Sequence, residues 1–478
     1  MAPPPPPTSP PDAAQLIRAS GLAGTTGYAL VDPLQGRIMA EGGAAMPFSP
    51  ASTMKAITAL YALDRLGQTH RFRTRVLRAD DMLILAGGGD PVLSSDDLDR
   101  LAADLVAAGA ATPARFAVWG GALPQIEEIA PPQADWLAYN PALSGMILNF
   151  NRVYLNWRRA DGRMQMSLKA RAERHSPRAY TITVAPGDQP DLFSYRSEDG
   201  IEAWTVSRAA IAQPGSRWLP VRKPELYAGD VFQTLCRARG LVLPRPDTIR
   251  MLPVAEEVAA LDSPPLITIL RDMLYYSTNL TAEVVGLQAS GAPDTASSAR
   301  AMQDWLATKG QGAGFQLRDH SGLSDDSRVT ARGMALMLAG PGLAAGLPEL
   351  LKTDPLAEDL GLDPDRSAQV AAKTGTLNFV SNLAGYVTGA DGNRRCFAIL
   401  SVDPARHEAT SGQEQPAGVR AWTRDAKRLQ RQMLQAWAGS GGWRSGRNRG
   451  SDHAVANLCR KLDRGGVQAR DVELVADF

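Results

Sequence analysis

The chain has 478 residues, 44% of them hydrophobic and 21% charged. That is an ordinary globular composition in a chain too long for one small core, so two or three domains are expected. Its formal net charge of +1 balances 51 Lys and Arg against 50 Asp and Glu, which removes any electrostatic case for nucleic acid or an acidic polymer. Cys236, Cys396 and Cys459 stand far apart without CxxC spacing, and the five histidines form neither HExxH nor a close pair. Neither a disulfide framework nor a metal site is therefore expected, and no cofactor is called for.

The opening stretch MAPPPPPTSPPDAAQ carries neither the basic nor the apolar region of a secretory signal. Residues 1–11 read as an extended Pro-rich leader. No run of about 18 apolar residues occurs, so no transmembrane segment is expected. Residues 12–20 read as a short helix, and 26–31 with 37–40 as a hairpin turned by Asp32, Pro33 and Gly36. Residues 53–66 are apolar nearly all round until Asp64 and Arg65, which predicts a helix buried in a domain interior.

From about 71 to 254 the texture changes. Alternating stretches such as RFRTRVL, DMLILAG, ARFAVWG and YTITVAP, separated by Gly and Pro turns, predict a β-rich insertion of two subdomains. After about 255 helices return, in LITILRDMLYYS, LTAEVVGLQA, SARAMQDWLATKG and TARGMALMLAG. Three strand candidates follow: QVAAKTG, SNLAGYVTG and RRCFAILSVD. Between 419 and 437, Val419, Trp422, Ala426, Leu429, Met433 and Trp437 recur at steps of three and four, the mark of an amphipathic helix packed on a sheet. The Gly-, Ser- and Arg-rich residues 438–478 read as a flexible tail.

Three short strings carry chemistry. In Ser52-Thr53-Met54-Lys55, a serine at a helix start and a lysine three positions on share one face. Burying that lysine lowers its pKa, so that the neutral amine can take the serine proton, while the helix N-terminus offers N–H groups to an oxyanion. Ser277-Thr278-Asn279 sets a hydroxyl and a carboxamide two residues apart, suited to relaying a proton and holding a substrate amide. Lys373-Thr374-Gly375-Thr376 closes a strand candidate, where the lysine and hydroxyls could bind a terminal carboxylate and the glycine lets a substrate backbone lie close.

Alone, each string has a commoner meaning: an N-cap serine with a solvent-facing lysine, a capped turn, a strand end. Lys352-Thr353-Asp354 shows that a Lys-Thr pair also occurs without the glycine. Together, and in this order, they form the S-x-x-K, S-x-N, K-T-G set of penicillin-binding proteins and serine β-lactamases. Two of only eight lysines (55, 169, 223, 309, 352, 373, 427 and 461) fall at the required places, and arginine could not replace the base because it stays protonated.

With PASTMKAITALYAL, LAGGGDP, YNPALSGMILNFN, SGLS and KTGTLNFVSNLAGYV added, residues 12–437 resemble the D-alanyl-D-alanine carboxypeptidase/endopeptidase family, the low-molecular-mass class C penicillin-binding proteins. The distance from Ser52 to Ser277 separates the chain from compact β-lactamases and fits that family's inserted domains. The resemblance implies an α+β fold. Its β-lactamase/transpeptidase-like catalytic domain, an antiparallel sheet flanked by helices, is discontinuous (12–70 and 255–437) and carries the insertion 71–254.

Position by position, the resemblance implies that Ser52 is the acylated nucleophile and Lys55 its base. Ser277 and Asn279 become the relay and amide-binding groups, and Lys373, Thr374, Gly375 and Thr376 the substrate-binding edge. The backbone N–H groups of Ser52 and Thr376 form the oxyanion hole. It implies a serine-type D-Ala-D-Ala carboxypeptidase with DD-endopeptidase activity on peptidoglycan stem peptides, acylated by β-lactam antibiotics and located in the periplasm. A homodimer is compatible with the sequence, which does not fix oligomeric state.

The rival readings are a serine β-lactamase, which needs a dedicated deacylating base, and a non-catalytic β-lactam or peptidoglycan sensor. Asp90, Asp96 and Asp97 read more simply as turn and helix-start residues than as such a base. Residues 55, 277 and 279, where a sensor would be altered, are intact. His320, just before SGLS, stands where a small residue is expected, and is read as a packing or pocket residue or, equally well, as a surface one.

Overall fold

The structure is a computed structural model that describes residues 12–161, 163–365 and 368–439. The Pro-rich leader and nearly all of the tail lie outside the described residues. A six-stranded antiparallel sheet is built from both ends of the chain. Its order is Lys352–Thr353, Gln369–Leu377, Val380–Thr388, Arg394–Val402, Thr25–Asp32, Arg37–Gly42. The two-residue side-chain period of a strand sorts this sheet into two faces. Leu30, Leu383, Phe397 and Ile399 meet Leu429, Met433, Leu434 and Trp437 of the Val419–Gly439 helix. The alternate residues Ala29, Val31, Ala384, Cys396, Ala398 and Leu400 face the opposite layer, where Ile57, Leu60 and Met334 lie.

The helix Met54–Leu66 runs through that second layer. All nine residues from Met54 to Ala62 are buried, which explains its nearly uniform apolar composition. Helices Leu266–Tyr276, Asn279–Ser290 and Thr295–Thr308 pack around it. The α+β architecture expected from the sequence, with an antiparallel sheet between helical layers, is what the chain forms.

The insertion holds three further sheets, and it is not β alone. Helices Ser95–Ala107 and Pro224–Ala238 cover a five-stranded sheet ordered Pro246–Ile249, Arg115–Trp119, Met82–Ala86, Arg73–Ala79, Glu256–Asp262. The second helix was legible: Tyr227, Val231 and Leu235, with Ala228, Phe232 and Cys236, repeat every four residues behind a proline at the helix start. The last strand, just past the expected boundary at 254, pairs with Arg73–Ala79, so chain entry and exit are neighbours in one sheet. Two three-stranded sheets complete the insertion, one of Arg152–Ala160, Arg163–Lys169 and Gly215–Pro220, the other of Ile182–Gly187, Phe193–Glu198 and Ile201–Ser207.

Two contacts position the site. Leu123, Leu143 and Ile147 of the insertion pack on Leu280, Val284 and Leu287 of the Asn279–Ser290 helix, docking the 120–151 segment beside it. On the sheet, buried Asn382 donates from Nδ2 to the carbonyls of Ser49 (2.8 Å) and Pro50 (3.0 Å), while its Oδ1 accepts from the Ser401 N–H (3.2 Å). It ties the turn that precedes residue 52 to the sheet. Asn382→Ala leaves these buried groups unpaired and is expected to cost about 1–3 kcal/mol in chemical denaturation.

Candidate active site

The turn into the Met54–Leu66 helix is tight. Ala51 has a positive φ of 45°, and Thr53 donates from both Oγ1 (2.6 Å) and N (3.2 Å) to the Pro50 carbonyl. Ser52 is thereby presented, half-buried, at the wall of a cleft of about 350 Å³. One turn on, Lys55 is fully buried. Its Nζ lies 2.9 Å from Ser52 Oγ, 2.7 Å from Asn279 Oδ1 and 2.8 Å from the Ser321 carbonyl.

Burial pushes the Lys55 pKa down to about 7, against the pull of Asp319 and Glu283. A neutral lysine has two N–H groups and one lone pair. Asn279 Oδ1 and the Ser321 carbonyl accept only, so they take both N–H groups and leave the lone pair for the Ser52 hydroxyl to donate to. The arrangement can therefore draw the proton from Ser52.

Ser277 ends the Leu266–Tyr276 helix in the left-handed region, at φ 60° and ψ 36°, and its side chain lines the cleft. Backbone strain of this kind at a non-glycine residue persists only when the surroundings enforce it. Thr278 holds the N-cap position of the next helix without a side-chain cap, and Asn279 opens the helix. While Asn279 Oδ1 holds Lys55, its Nδ2 donates to the Tyr139 carbonyl at 3.2 Å. One carboxamide so joins the lysine to the insertion.

The Gln369–Leu377 strand carries the third string. The short strand Lys352–Thr353 pairs only with Ala372 and Ala371. Among the described residues, the outer edge from Lys373 onward thus faces the cleft, where Lys373, Thr374 and Thr376 all contribute to the lining. A Cβ on Gly375 would stand 2.9 Å from the Pro50 carbonyl and 3.1 Å from the Ser52 nitrogen. Only glycine lets this strand close on the Ser52 turn. Lys373 is buried and donates to the Thr374 carbonyl at 2.9 Å. Burial, then the nearby Lys55, holds its pKa well below the ordinary lysine range.

All eight residues singled out in the sequence thus gather at one cleft or directly behind it, from both sides of the insertion. Several participants carried no signal. Gln133 reaches the lining from the insertion, as does Tyr139, whose segment YNPALSGMILNFN was marked although no role was read for it. Ser321 contributes a carbonyl, invisible to any side-chain pattern, although SGLS marked the segment. Lys352, set aside as a bare Lys-Thr pair, lines the same cleft, pairs with Glu358 (2.6 Å) and lies over the Tyr275 ring. Of the readings open for His320 the structure supports packing: it is fully buried with Nε2 2.6 Å from Ser298 Oγ, and burial pushes its pKa down to about 3. Asp96 and Asp97 lie in the first turn of the Ser95–Ala107 helix, where Asp97 closes a capping box with Ser94. Among the described residues, no group of three or more His, Cys, Asp or Glu side chains is arranged to hold a metal ion.

Comparison with known proteins follows the same lines. The family model described as D-Ala-D-Ala carboxypeptidase 3 (S13) matches residues 16–425. A D-alanyl-D-alanine carboxypeptidase of Actinomadura sp. (strain R39) is 28% identical over 421 residues, covering 79% of this chain and 77% of the relative. A carboxypeptidase of Mycobacterium tuberculosis is 28% identical over 395 residues, covering 78% and 75%. Among solved structures, penicillin binding protein 4 from Haemophilus influenzae matches with a TM-score of 0.67 at 19% identity, over 89% of this chain and 100% of that one. At that identity the likeness is one of fold.

The perturbed lysine is directly measurable. With eight lysines in the chain, 13Cε-labelled lysine should show, beside the lowered signal of buried Lys373, a second buried signal that loses its proton near pH 7 and disappears in Lys55→Met. Titration of every lysine in the ordinary range, above about 10, would contradict the geometry described.

Proposed function

The chain belongs to the D-Ala-D-Ala carboxypeptidase 3 (S13) family, and from that premise we propose that it cleaves D-Ala-D-Ala termini of peptidoglycan stem peptides through an acyl-enzyme on Ser52. The observation that carries the proposal is the buried Lys55 amine, 2.9 Å from Ser52 Oγ, with both of its N–H groups accepted elsewhere. Ser52 Oγ attacks the penultimate D-Ala carbonyl while its proton passes to Lys55. The carbonyl oxygen, now an oxyanion, is met by the N–H groups of Ser52 and Thr376.

The substrate's terminal carboxylate lies at Lys373, Thr374 and Thr376. It brings the opposite charge that buried Lys373 needs to hold its proton. Gly375 leaves room for the substrate backbone beside the open strand edge, and Asn279 holds the substrate amide. Ser277 relays a proton to the nitrogen of the departing D-Ala. Water then cleaves the Ser52 ester. The same steps applied to a peptide cross-bridge give DD-endopeptidase activity, and β-lactams acylate the same serine. The substrate places this chemistry outside the cytoplasmic membrane, in the periplasm. No described helix is long and apolar enough to cross a membrane.

Release of D-Ala from a D-Ala-D-Ala peptide tests the proposal. Ser52→Ala should abolish release. Lys55→Arg, which cannot supply a neutral amine, should slow acylation by roughly a hundredfold or more. In the wild type, acylation should fall as the pH drops through about 7 and Lys55 gains its proton. D-Ala release that survives Ser52→Ala would contradict the nucleophile assignment.

A further inference from the structure

Behind the lysine lies a pair of buried carboxylates to which the reaction steps above give no task. Glu283 follows Asn279 by one helical turn, on the same face of the Asn279–Ser290 helix. Asn279 touches Lys55 directly, whereas Glu283 reaches the turn that supplies the lysine's other acceptor. Fully buried, it accepts from the backbone N–H of Ser321 (Oε1, 2.8 Å) and of His320 (Oε1, 3.1 Å; Oε2, 3.3 Å).

Asp319, equally buried, accepts from Ser321 Oγ (3.2 Å), the Ser324 N–H (2.9 Å) and Ser327 Oγ (2.7 Å). The turn is also pinned from the lysine's own helix, because Thr58 Oγ1 donates to the His320 carbonyl at 2.6 Å. At the next residue the fit is closest. A Cβ on Gly322 would stand 1.8 Å from the Ala51 carbonyl, and its φ of +79° already favours glycine. The turn is therefore wedged against the residue before Ser52 and has little freedom to move.

Resting on the acyl-transfer reading, we propose that Glu283 is a positioning residue: with Asp319 it fixes the 319–324 turn so that the Ser321 carbonyl aims the Lys55 amine at Ser52, and its charge sets how firmly the lysine keeps its proton. Two backbone N–H groups, with no other acceptor among the described residues, hold the carboxylate in place, although burial, and then Asp319, raises its pKa. Whatever negative charge it carries favours the protonated lysine, as does Asp319.

The other groups facing Lys55 do not duplicate this role. Lys373, on the neighbouring strand, opposes a second positive charge. His320 is held neutral by burial and turns its ring to Ser298. Helices Leu266–Tyr276 and Thr295–Thr308 bring Leu270, Met273, Met302 and Trp305. The ion pair of Lys309 with Asp64 sits at the far end of the lysine's helix, roughly 14 Å away along its axis.

Single-turnover acylation by a fluorescent penicillin, normalised to the titratable fraction of enzyme, tests the proposal. It separates the limiting acylation rate from the half-saturating concentration and follows both against pH. Glu283→Ala, which strands two N–H groups, should lower the limiting rate at least about tenfold and leave half-saturation unchanged. Glu283→Gln keeps an acceptor oxygen at the turn and removes the charge. It should restore most of the rate and move the acid limb to lower pH, because the lysine then loses its proton more readily.

Should Glu283→Ala fail to fold, the Gln variant decides alone. A Gln variant with wild-type rate and an unmoved acid limb overturns the role. A folded Ala variant with the wild-type limiting rate overturns it equally. If the wild type itself takes no label, the acyl-transfer reading fails first, and this one with it.

Discussion

The site depends on one costly constraint, a lysine amine taken wholly out of water. An ammonium in that position is stable only where acceptors surround it, and burial alone favours the neutral form. Lys55 has three acceptors within hydrogen-bond reach, from the turn into its own helix, from the Asn279–Ser290 helix and from the 319–324 turn. Each comes from a different part of the chain. The lysine is therefore positioned only when the helical layer is fully assembled, and a loosened layer would let water in and return the lysine to its ordinary pKa.

The sheet supplies the second half of the constraint. Asn382 anchors the turn before Ser52 from the middle of the Val380–Thr388 strand, and Gly375 lets the neighbouring strand close on Ser52 without a side chain between them. One edge strand stops after two residues, and this leaves the rest of the Gln369–Leu377 edge open for an extended peptide. The insertion is coupled to this centre rather than appended to it. Its 120–151 segment packs on the Asn279–Ser290 helix, and the Tyr139 carbonyl fixes the carboxamide that also holds Lys55.

Side chains at short spacing were legible in the sequence. Ser52 and Lys55 declared themselves by a one-turn interval in an apolar helix, and the strands around Lys373 as three short strand candidates in a row. The Val419–Gly439 helix showed its three- and four-residue steps. What stayed hidden is of another kind. Ser321 acts through a carbonyl, and Glu283 and Asp319 act through backbone N–H groups and hydroxyls of a turn, so none produces a motif. Lys352 was dismissed because its string lacks a glycine, yet strand pairing carries it to the cleft beside Lys373. Packing was one of three readings open for His320, and its chain neighbours could not choose among them because its partner Ser298 lies 22 residues away. The Pro224–Ala238 helix had the right period but lay among strands that drew the reading away from it.

Intact-protein mass after incubation with penicillin G, followed by digestion to locate the adduct, tests the convergence of the three strings on Ser52 most directly. The account predicts a single lasting adduct on the peptide that contains Ser52. An adduct on any other residue, or none with the antibiotic unchanged, would contradict it, and antibiotic consumed without a lasting adduct would make the protein a β-lactamase.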